Sequence, residues 1–364
     1  MRFPEFSEEW ERSSLGVVFC KVENGLTYDP NNSEGLPVTR IETISDRSIN
    51  YKRVGYAKDD GKLSKYKMEP GDILFSHINS LKHIGKTAYY DGEHPLYHGM
   101  NLLLLRTTNE ESARFLFYQL NTSRFLHRCQ VLANQAVNQA SINTRELKGI
   151  TLHKPSIKEQ IKIADFISLL DNRIATQIKI IEKLESLIKG LCQKLTQQDN
   201  PNTALNETLV CYSSTLQESS VQETGDYPVY GATGVCGYTD VPEVDGDSIL
   251  IIKDGASVGV TYYASGKYSA IGTLNRLIAT SGYSLRYLYY CLKVFNFAPY
   301  RTGLAIPHIY FRDYGKAKVW CPSLDEQQRI ADALSKVEQK IAIEKSLLEQ
   351  LYSQKRFLLQ AMFI

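Results

Sequence analysis

The segment PSIKEQIKIADFISLLDNRIATQIKIIEKLESLIKGL, residues 155–191, returns as PSLDEQQRIADALSKVEQKIAIEKSLLEQLYSQKRFL at residues 322–358. The two copies align without a gap at an offset of 167 residues, and 14 of the 37 aligned positions are identical. Helical periodicity alone can align apolar positions, but it does not align Pro-Ser, Glu-Gln and Ala-Asp pairs. The chain therefore contains an internal repeat, which determines its architecture.

Each copy of the repeat has apolar residues at alternating spacings of mostly three and four, which predicts one long amphipathic helix. We expect these helices over residues 156–196 and 323–363, each about 60 Å long at 1.5 Å per residue. The Ser of each Pro-Ser pair suits the N-cap position, with Glu159 and Glu326 completing a capping box. Because a narrow apolar stripe on so long a helix needs a partner, we predict that the two helices pack as an antiparallel coiled coil.

The segments between the helices repeat as well, although more weakly. Residues 71–89 (GDILFSHINSLKHIGKTAY) resemble residues 246–262 (GDSILIIKDGASVGVTY), and RFLFYQL at 114–120 resembles RYLYYCL at 286–292. The whole chain is therefore predicted to be a tandem duplication of a globular domain followed by a long helix.

Short apolar runs such as 73–76 and 249–252 lie among Gly, Asn and Asp turns, and helical patterns follow at 110–128 and 285–294. This predicts the α+β fold class, with two tandem mixed α+β domains separated by the two long helices in a pseudo-twofold arrangement. Ile142 and Ile309 occupy matching places before the two helices. The predicted boundaries are a first domain at 1–154, a central helix at 155–199, a second domain at 200–321 and a C-terminal helix at 322–364.

The use of cysteine points to a reducing compartment. The seven cysteines are scattered and never spaced as CxxC, which argues against a disulfide framework and against a zinc site. No secretory signal opens the chain, and no apolar run is long enough to span a bilayer. We therefore expect a cytoplasmic protein that has no membrane partner, no metal and no cofactor of its own.

The net charge is only +2, but its distribution is uneven. Residues 201–249 hold eight acids and no Lys or Arg, whereas residues 250–320 hold nine Lys or Arg against two acids. Residues 112–148 likewise hold five basic residues against one acid. Tyr, Asn, Gln and Thr accumulate in the same late stretches, and such side chains contact phosphates and base edges. The pattern favours nucleic-acid contact late in each domain, with solvated surface charge as the alternative. The acidic stretch is expected to face away from phosphate.

Recognisable catalytic motifs are missing from the sequence. A methyltransferase acting on DNA bases would carry a Gly-rich cofactor loop and an Asn/Asp-Pro-Pro-aromatic motif, and the chain has no Pro-Pro. The glycines from Gly231 to Gly237 have phosphate-loop spacing, but no Lys-Ser/Thr follows them, so we interpret them as a turn in a β region. We therefore expect that the chain is not an enzyme by itself.

An ordered set of motifs resembles the specificity subunit of type I restriction–modification enzymes. The motifs extend over essentially the full chain: RFPEFSEEW at 2–10, GDILFS at 71–76 with IGK at 84–86, PSxxEQ at 155–160 and 322–327, YPVYG at 227–231 with GYTD at 237–240, and LQAMF at 359–363. Each motif alone is weak, but their order is fairly specific.

The resemblance implies a non-catalytic subunit with two target-recognition domains. Such subunits bind double-stranded DNA at a bipartite sequence, one block for each domain, and their helices set the gap. It also implies two methyltransferase subunits, which supply the S-adenosylmethionine chemistry, and recruitment of two restriction subunits, which use ATP. The helix starts at Glu159, Gln160, Glu326 and Gln327 are then expected on docking faces for the methyltransferase.

Direct readout of bases needs donors and acceptors on loops, chiefly from Arg, Lys, Asn and Gln. The candidates lie in the turn after an apolar strand or in the later part of each domain. In the first domain they are Asn79, Lys82, His83, Asn134, Gln135, Asn138 and Gln139. In the second domain they are Lys253, Asp254, Ser257, Arg276, Tyr300, Arg301, Thr302 and His308. For any single residue, the alternative is a solvated loop or a local turn bond.

Two other functions remain open from the residues alone. A coiled-coil adaptor that assembles partner proteins would bind no DNA, whichever methyltransferase is present. An enzyme with an unfamiliar site would methylate or cleave DNA as the isolated chain.

Overall fold

The computed structural model describes residues 1–29, 31–45, 47–59, 61, 63–136, 139–303 and 305–363. The chain divides into two compact units, Met1–Thr176 with Leu348–Ile364 and Gln177–Leu347. Because the division falls inside both long helices, each unit contains one globular domain and part of each helix. The predicted boundaries had instead kept the helices as separate segments.

The first unit is built from short strands and helices. Its strands are β1 (Glu11–Ser14), β2 (Phe19–Asn24), β3 (Leu36–Val38), β4 (Ile44–Ser45), β5 (Ser48–Ile49), β6 (Gly55–Ala57), β7 (Ile73–Phe75), β8 (Ile78–Asn79), β9 (Thr87–Tyr89), β10 (Leu103–Thr107), β11 (Asn134–Ala136), β12 (Gln139–Ser141) and β13 (Thr151–Lys154). Its helices are α1 (Leu15–Val18), α2 (Ala113–Leu120), α3 (Ser123–Leu132), α4 (Thr144–Gly149) and the start of α5 (Ile157–Thr196), with short 3-10 turns at Ile41–Thr43, Leu63–Tyr66 and Leu81–His83.

An antiparallel sheet of four strands forms the centre of the first unit, in the order β2–β10–β7–β9. The inner strand β7 is buried over its whole length, from Ile73 to Phe75, and α2 lies against the edge strand β9. Strand β13 pairs with β1 just before α5 begins, so the two ends of the domain meet at the start of the long helix.

The second unit contains the remaining elements. Its strands are β14 (Thr203–Ala204), β15 (Leu209–Ser213), β16 (Tyr227–Gly231), β17 (Gly234–Thr239), β18 (Val244–Asp245), β19 (Ser248–Ile252), β20 (Thr261–Ala264), β21 (Lys267–Ala270), β22 (Leu274–Ala279) and β23 (Lys318–Val319). Its helices are α6 (Leu205–Thr208), α7 (Leu285–Lys293), α8 (Phe311–Tyr314) and most of α9 (Leu324–Ala361), with 3-10 turns at Glu218–Ser220 and Ala298–Tyr300.

The main sheet of the second unit has the same topology as that of the first. Its order is β15–β22–β19–β20, and β14 pairs with β23 before α9 just as β1 pairs with β13 before α5. The insertions differ, because the first unit adds the pairs β3–β6 and β4–β5 while the second adds the sheet β17–β16–β21–β18. The predicted tandem α+β duplication is confirmed. Gly231 and Gly234 lie opposite each other at the β16–β17 turn, as interpreted from the sequence.

The long helices begin one residue later than predicted, at Ile157 and Leu324. Ser323 Oγ accepts from the backbone N–H of Glu326 at 3.4 Å, which forms one half of the expected capping box. Glu159 is used differently, because both of its carboxylate oxygens accept from Arg2 at 2.7 Å. Part of the apparent start signal of α5 is therefore a contact between the helix and the N-terminal segment.

Equivalent hydrogen bonds fasten each domain to its long helix. In the first unit, Gln160 Oε1 accepts from the N–H of Ser112 at 3.0 Å, and in the second, Gln327 Oε1 accepts from the N–H of Ser284 at 2.9 Å. Both serines are the N-cap residues of the helices that follow them, α2 and α7. A second contact recurs from a Tyr hydroxyl to a carboxylate of the long helix, namely Tyr118 to Asp171 and Tyr290 to Glu338, both at 2.8 Å.

The parts of α5 and α9 within the second unit run in opposite directions. Gln177 Nε2 donates to Glu344 O at 3.0 Å. Further along α5, Ile188 and Cys192 share a buried core with Leu334, which lies earlier in α9. Contacts thus move back along α9 as they advance along α5, and the predicted antiparallel pairing is confirmed.

The cysteines fall into three groups by their environment: four are buried (Cys129, Cys192, Cys291 and Cys321), Cys211 and Cys236 are half-buried, and Cys20 is exposed. Burial raises the pKa of Cys129 to about 12 in the first unit, and those of Cys192 and Cys321 to about 11 in the second. Cys20, in contrast, is exposed at the surface. Buried thiols of this kind behave as small apolar side chains.

None of the helices formed by the described residues combines the length and the apolar character needed to cross a membrane. Within the same residues, no group of three or more His, Cys, Asp and Glu side chains is arranged to hold a metal ion.

Candidate nucleic-acid interface

The first domain carries a closed loop directly after β7. The N–H of Ser76 donates to Lys86 O at 2.8 Å, and the N–H of Gly85 donates to Ser76 O at 2.9 Å. These two backbone bonds close the base of residues 76–86, which we call loop 1. A loop that is closed at its base projects from a defined position, as a recognition element requires.

The second domain repeats this closure directly after β19. The N–H of Ile252 donates to Val260 O at 3.0 Å, and the N–H of Gly259 donates to Ile252 O at 2.9 Å. We call residues 252–260 loop 2, and loop 1 is two residues longer. The two domains therefore share the same backbone closure, which we call the shared frame, but their loops differ in length.

One glycine in each loop explains the Ile/Val-Gly motif shared by the two domains. Gly85 has φ of +81°, and a Cβ built there would lie 3.1 Å from Cys129 Cβ on α3. Gly259 has φ of +91°, and its Cβ would lie 2.8 Å from the ring of Phe297. Both positions favour glycine because of the left-handed backbone and the close approach of a neighbour. The glycines thus hold each loop against its own domain.

A later segment of each domain lies across the base of the loop. The N–H of Ile142 donates to His77 O at 2.9 Å, and the N–H of Ile309 donates to Lys253 O at the same distance. We call residues 139–142 strap 1 and residues 307–309 strap 2. The straps bring the late polar stretch of each domain next to its loop.

His77 lies at the base of loop 1 and is neutral at physiological pH. Its side chain is buried, and this burial lowers its pKa to about 4. The charge of loop 1 therefore comes from the residues that follow His77.

Four of the first-domain candidates, Asn79, Asn134, Gln135 and Gln139, lie on one small sheet, β11–β12–β8, while Lys82 and His83 lie in the 3-10 turn shortly after β8. Asn79 and Gln135 both lie opposite Ala140 of β12, one on each side. We call the assembled side chains polar cluster 1, which consists of Asn79, Lys82, His83, Asn134, Gln135 and Gln139. The remaining candidate, Asn138, lies outside the described residues.

Polar cluster 1 presents exposed amides and cations. Asn134, Gln135 and Gln139 are exposed, as is Lys82, whereas Asn79 is half-buried and donates to Ser76 Oγ at 3.2 Å. Exposed amides of this type can pair with base edges.

Two basic residues next to this cluster were not singled out from the sequence. Arg53 and Lys86 line a cavity of about 220 Å³ together with Asn79 and His83. Partial burial, followed by the nearby charges of Lys86 and Lys82, lowers the pKa of His83. Arg53 comes from a distant part of the chain, so only the folded structure places it here, whereas Lys86 directly follows Ile84-Gly85, the pair that recurs as Val258-Gly259 in the second domain.

The second-domain candidates assemble around a histidine–aspartate contact. His308 Nδ1 lies 2.9 Å from Asp254 Oδ1, and the backbone of His308 bridges to both Asp254 and Thr302. Lys253 is half-buried beside this contact, and Ser257 is exposed on loop 2. We call Lys253, Asp254, Ser257, Arg301, Thr302 and His308 polar cluster 2. Arg301 belongs to it because its Nη2 donates to Val258 O of loop 2 at 3.1 Å.

Two candidates of the second domain are engaged elsewhere. Arg276 lies on β22 with its guanidinium 4.6 Å from the ring centre of Tyr212 on the neighbouring strand. Tyr300 stacks on Phe295 with ring centres 5.8 Å apart and packs against the core. Aromatic contacts of this kind hold both side chains within the domain, so they do not share in polar cluster 2.

The four residues expected on docking faces have internal partners instead. Glu159, Gln160 and Gln327 are each only 1% exposed. Glu159 pairs with Arg2, and the two glutamines bind their own domains, while the half-buried Glu326 forms an ion pair with Arg329. The three buried side chains offer no surface to a partner.

Comparison with known proteins identifies a matching family. A family model described as "Type I restriction modification DNA specificity domain" matches residues 7–186 and 212–353. The "Putative type I restriction enzyme MjaX specificity subunit" of Methanocaldococcus jannaschii is 43% identical over 196 residues, which is 52% of this chain and 46% of that protein. The "Type I restriction enzyme EcoprrI specificity subunit" of Escherichia coli is 26% identical over 115 residues, 32% of this chain and 29% of that protein. These alignments span less than half the length of either curated relative.

Two solved structures have a similar fold over nearly their whole length. The S subunit of a type I restriction–modification system from M. genitalium has a TM-score of 0.65 at 18% identity, covering 100% of this chain and 99% of that one. A chain from a study of the assembly and conformational transition of a type I system has a TM-score of 0.57 at 15% identity, covering 98% of both. At such low identity these likenesses establish the fold.

Proposed function

Because the chain belongs to the family of type I restriction–modification DNA specificity domains, we propose that it is a non-catalytic DNA-recognition subunit that reads a bipartite, gapped target. Each domain reads one block of the target with its loop and strap. The long helices set the gap between the blocks.

The observation that carries this proposal is the shared frame with different polar groups. Loop 1 and loop 2 are closed by the same pair of backbone bonds and crossed by equivalent straps. Polar cluster 1 consists mainly of amides and lysine, whereas polar cluster 2 contains a histidine–aspartate pair. Two sites on one frame with different donors and acceptors suit the reading of two different base sequences.

Electrostatics supports DNA contact at both clusters. Lys82, Lys86 and Arg53 are exposed around polar cluster 1 and can contact phosphates. In the second domain, Lys253 and Arg301 belong to polar cluster 2. The acidic stretch at 201–249 contributes no residue to that cluster and is proposed to face away from phosphate.

The long helices are proposed to dock two methyltransferase subunits through their exposed apolar side chains. Leu169 and Phe357 are 64% and 57% exposed in the first unit, and Ile343 and Leu187 are 62% and 50% exposed in the second. Contiguous exposed apolar patches mark interaction surfaces, and we propose that these side chains belong to such patches. The methyltransferase would supply the S-adenosylmethionine chemistry, and two restriction subunits that use ATP would join the same complex.

The direct test is genome-wide mapping of adenine methylation in cells that express the methyltransferase with and without this chain. The expected result is one gapped, two-block motif that is methylated only when the chain is present. The double variant Asn79→Ala, Gln135→Ala should relax or abolish one block and leave the other block unchanged.

Two outcomes would contradict the proposal. If the methylated motif does not depend on this chain while the methyltransferase is active, the chain does not select the target. If a purified complex with the methyltransferase forms but binds no DNA, the chain is instead a coiled-coil adaptor that assembles partner proteins.

A further inference from the structure

Two side chains next to loop 2 differ in chemistry from their equivalents next to loop 1. Val260 is the equivalent of Lys86, because the backbone O of each accepts from the N–H of the first residue of its loop. The offset of 167 residues between the two repeats places Ile306 in the position of Gln139. At both places, a polar side chain of the first domain is replaced by a β-branched aliphatic one in the second.

Both aliphatic side chains are exposed to solvent. Ile306 is 58% exposed and Val260 is 45% exposed. Exposure alone has no functional meaning, because single exposed apolar residues are common on protein surfaces. The significance of Ile306 comes from its surroundings, since it directly precedes strap 2 and lies among the residues of polar cluster 2.

Backbone hydrogen bonds hold the segment around Ile306 in place. The N–H of Thr302 donates to His308 O at 2.9 Å, and the N–H of His308 donates to Thr302 O at 2.8 Å. In addition, the N–H of Gly255 on loop 2 donates to Pro307 O at 2.9 Å, so the residue after Ile306 is bonded to the loop. Ile306 is therefore held next to loop 2 by the same strap that carries His308.

The first domain uses the equivalent position for a polar side chain. Gln139 is exposed on strap 1 and belongs to polar cluster 1, whose amides are proposed to pair with base edges. A glutamine amide fits adenine, because its acceptor and donor match N6 and N7 in the major groove. An isoleucine at the same place forms no hydrogen bond, so it needs an apolar group on the DNA.

Thymine supplies such a group on its major-groove edge. It carries a C5-methyl group, whereas the other three bases are distinguished in the major groove by their hydrogen-bond donors and acceptors. An aliphatic side chain placed against those polar groups would leave them without partners, which is unfavourable. Phosphates are contacted by cationic and polar groups, so the DNA backbone does not suit Ile306 either.

We infer that Ile306 contacts the C5-methyl group of a thymine in the block read by the second domain, and so specifies an A·T pair at that position. The inference rests on the proposed function, because it assigns a base to one side chain of the proposed interface. Gln139 and Ile306 then give the two domains different base preferences at one shared position of the frame.

The test measures binding of the complex of the full chain and the methyltransferase to a DNA duplex that carries the mapped motif. The block of the second domain is the one that the variant Asn79→Ala, Gln135→Ala leaves unchanged. Each thymine of this block is replaced in turn by deoxyuridine, which removes only the methyl group. One replacement should raise the Kd of the wild-type complex by about fourfold, which corresponds to about 0.8 kcal/mol for burial of one methyl group.

Two variants show whether this effect depends on Ile306. With Ile306→Ala, thymine and deoxyuridine at the sensitive position should give the same Kd, because the two partners of the contact are coupled. Val241→Ala is the matched control, since Val241 is a 76% exposed aliphatic residue of the same unit and belongs to the acidic stretch. This variant should keep the fourfold difference.

Two results would overturn the inference and leave the proposed function intact. One is that deoxyuridine has the same effect on the wild-type complex and on Ile306→Ala at every position of the block. The other is that Ile306→Ala weakens assembly with the methyltransferase in the absence of DNA, which would place Ile306 in a protein contact. If the wild-type complex binds no DNA at all, both the inference and the proposed function are overturned.

Discussion

Replacing Gln327 by leucine should destabilise the second unit, although the residue lies at the start of a helix that looks like a docking surface in the sequence. Gln327 is 1% exposed, its Oε1 accepts from the N–H of Ser284 at 2.9 Å, and its Nε2 donates to Pro322 O at 2.9 Å. Leucine has a similar volume but leaves both backbone groups without partners, at about 1–3 kcal/mol for each. The expected loss in free energy of unfolding is therefore about 2–6 kcal/mol.

The assay is differential scanning calorimetry of the full chain. For a unit of 150–250 residues, 1 kcal/mol shifts Tm by about 2–4 °C, so a loss of 3 kcal/mol lowers Tm by about 6–12 °C. Gln328→Leu is the matched control, because Gln328 is the exposed neighbour and, among the described residues, its side chain bonds only to Asp332 of its own helix. Equal midpoints for Gln327→Leu and Gln328→Leu would refute the anchoring role and return Gln327 to the docking surface.

Three further predictions concern loop 1 and its base. As pH falls from about 6.5 to about 4, the first unit should lose stability. Burial lowers the pKa of His77 to about 4, so in this pH range protons bind preferentially to the unfolded chain. The slope of Tm against pH should therefore become smaller in His77→Asn. Gly85→Ala should weaken DNA binding at one block through backbone strain of about 1–3 kcal/mol and displacement of the loop. Gly61→Ala is the control and should leave binding unchanged, because Gly61 has a similar φ of +74° but no atom of the described residues within 4 Å of an added Cβ. Lys82→Ala should reduce the slope of log K for DNA binding against log salt concentration by about 0.9, because its ammonium is proposed to contact one phosphate. Lys183→Ala on α5 is the control and should not change the slope. Equal slopes for the two variants would remove Lys82 from the interface.

The repeated architecture was predictable because the long helices have a strong local sequence pattern. The apolar spacing of the two long helices extends over ten turns, and their observed starts differ from the predicted ones by a single residue. Strand β19 matches the predicted apolar run at 249–252, because the run is buried over its whole length. Signals of this length leave little freedom for tertiary contacts to change the outcome.

Elements with weaker signals were missed or merged. The helical pattern at 110–128 is in fact two helices, since Asn121 turns its side chain back to Phe117 O and Thr122 caps the start of α3 through the N–H of Phe125. The inserted pairs β3–β6 and β4–β5 consist of strands of two or three residues, which are too short to show a period. Their pairing depends on contacts that arise only in the folded domain.

The candidate site was predictable where backbone geometry determined it. Gly85 and Gly259 mark the closed loops in both copies, and Ile142 and Ile309 mark the straps. Composition alone could not separate an arginine that is free to bind phosphate from one that stacks on a tyrosine, as Arg276 does. Gln160 and Gln327 occupy the same position in the two copies of the repeat. Each binds its own domain through the same internal hydrogen bond, whereas we had expected both on a docking face.

The contrast between buried and exposed thiols gives the chain a built-in set of reporters. Alkylating reagents attack the thiolate, so the raised pKa of Cys129, Cys192 and Cys321 protects them twice, by burial and by protonation. A short pulse of iodoacetamide should therefore mark Cys20 in the folded chain and the other three only when their surroundings open. Mass spectrometry of the pulsed chain would then time the opening of each half separately, through Cys129 for one and the remaining pair for the other, with no engineered label.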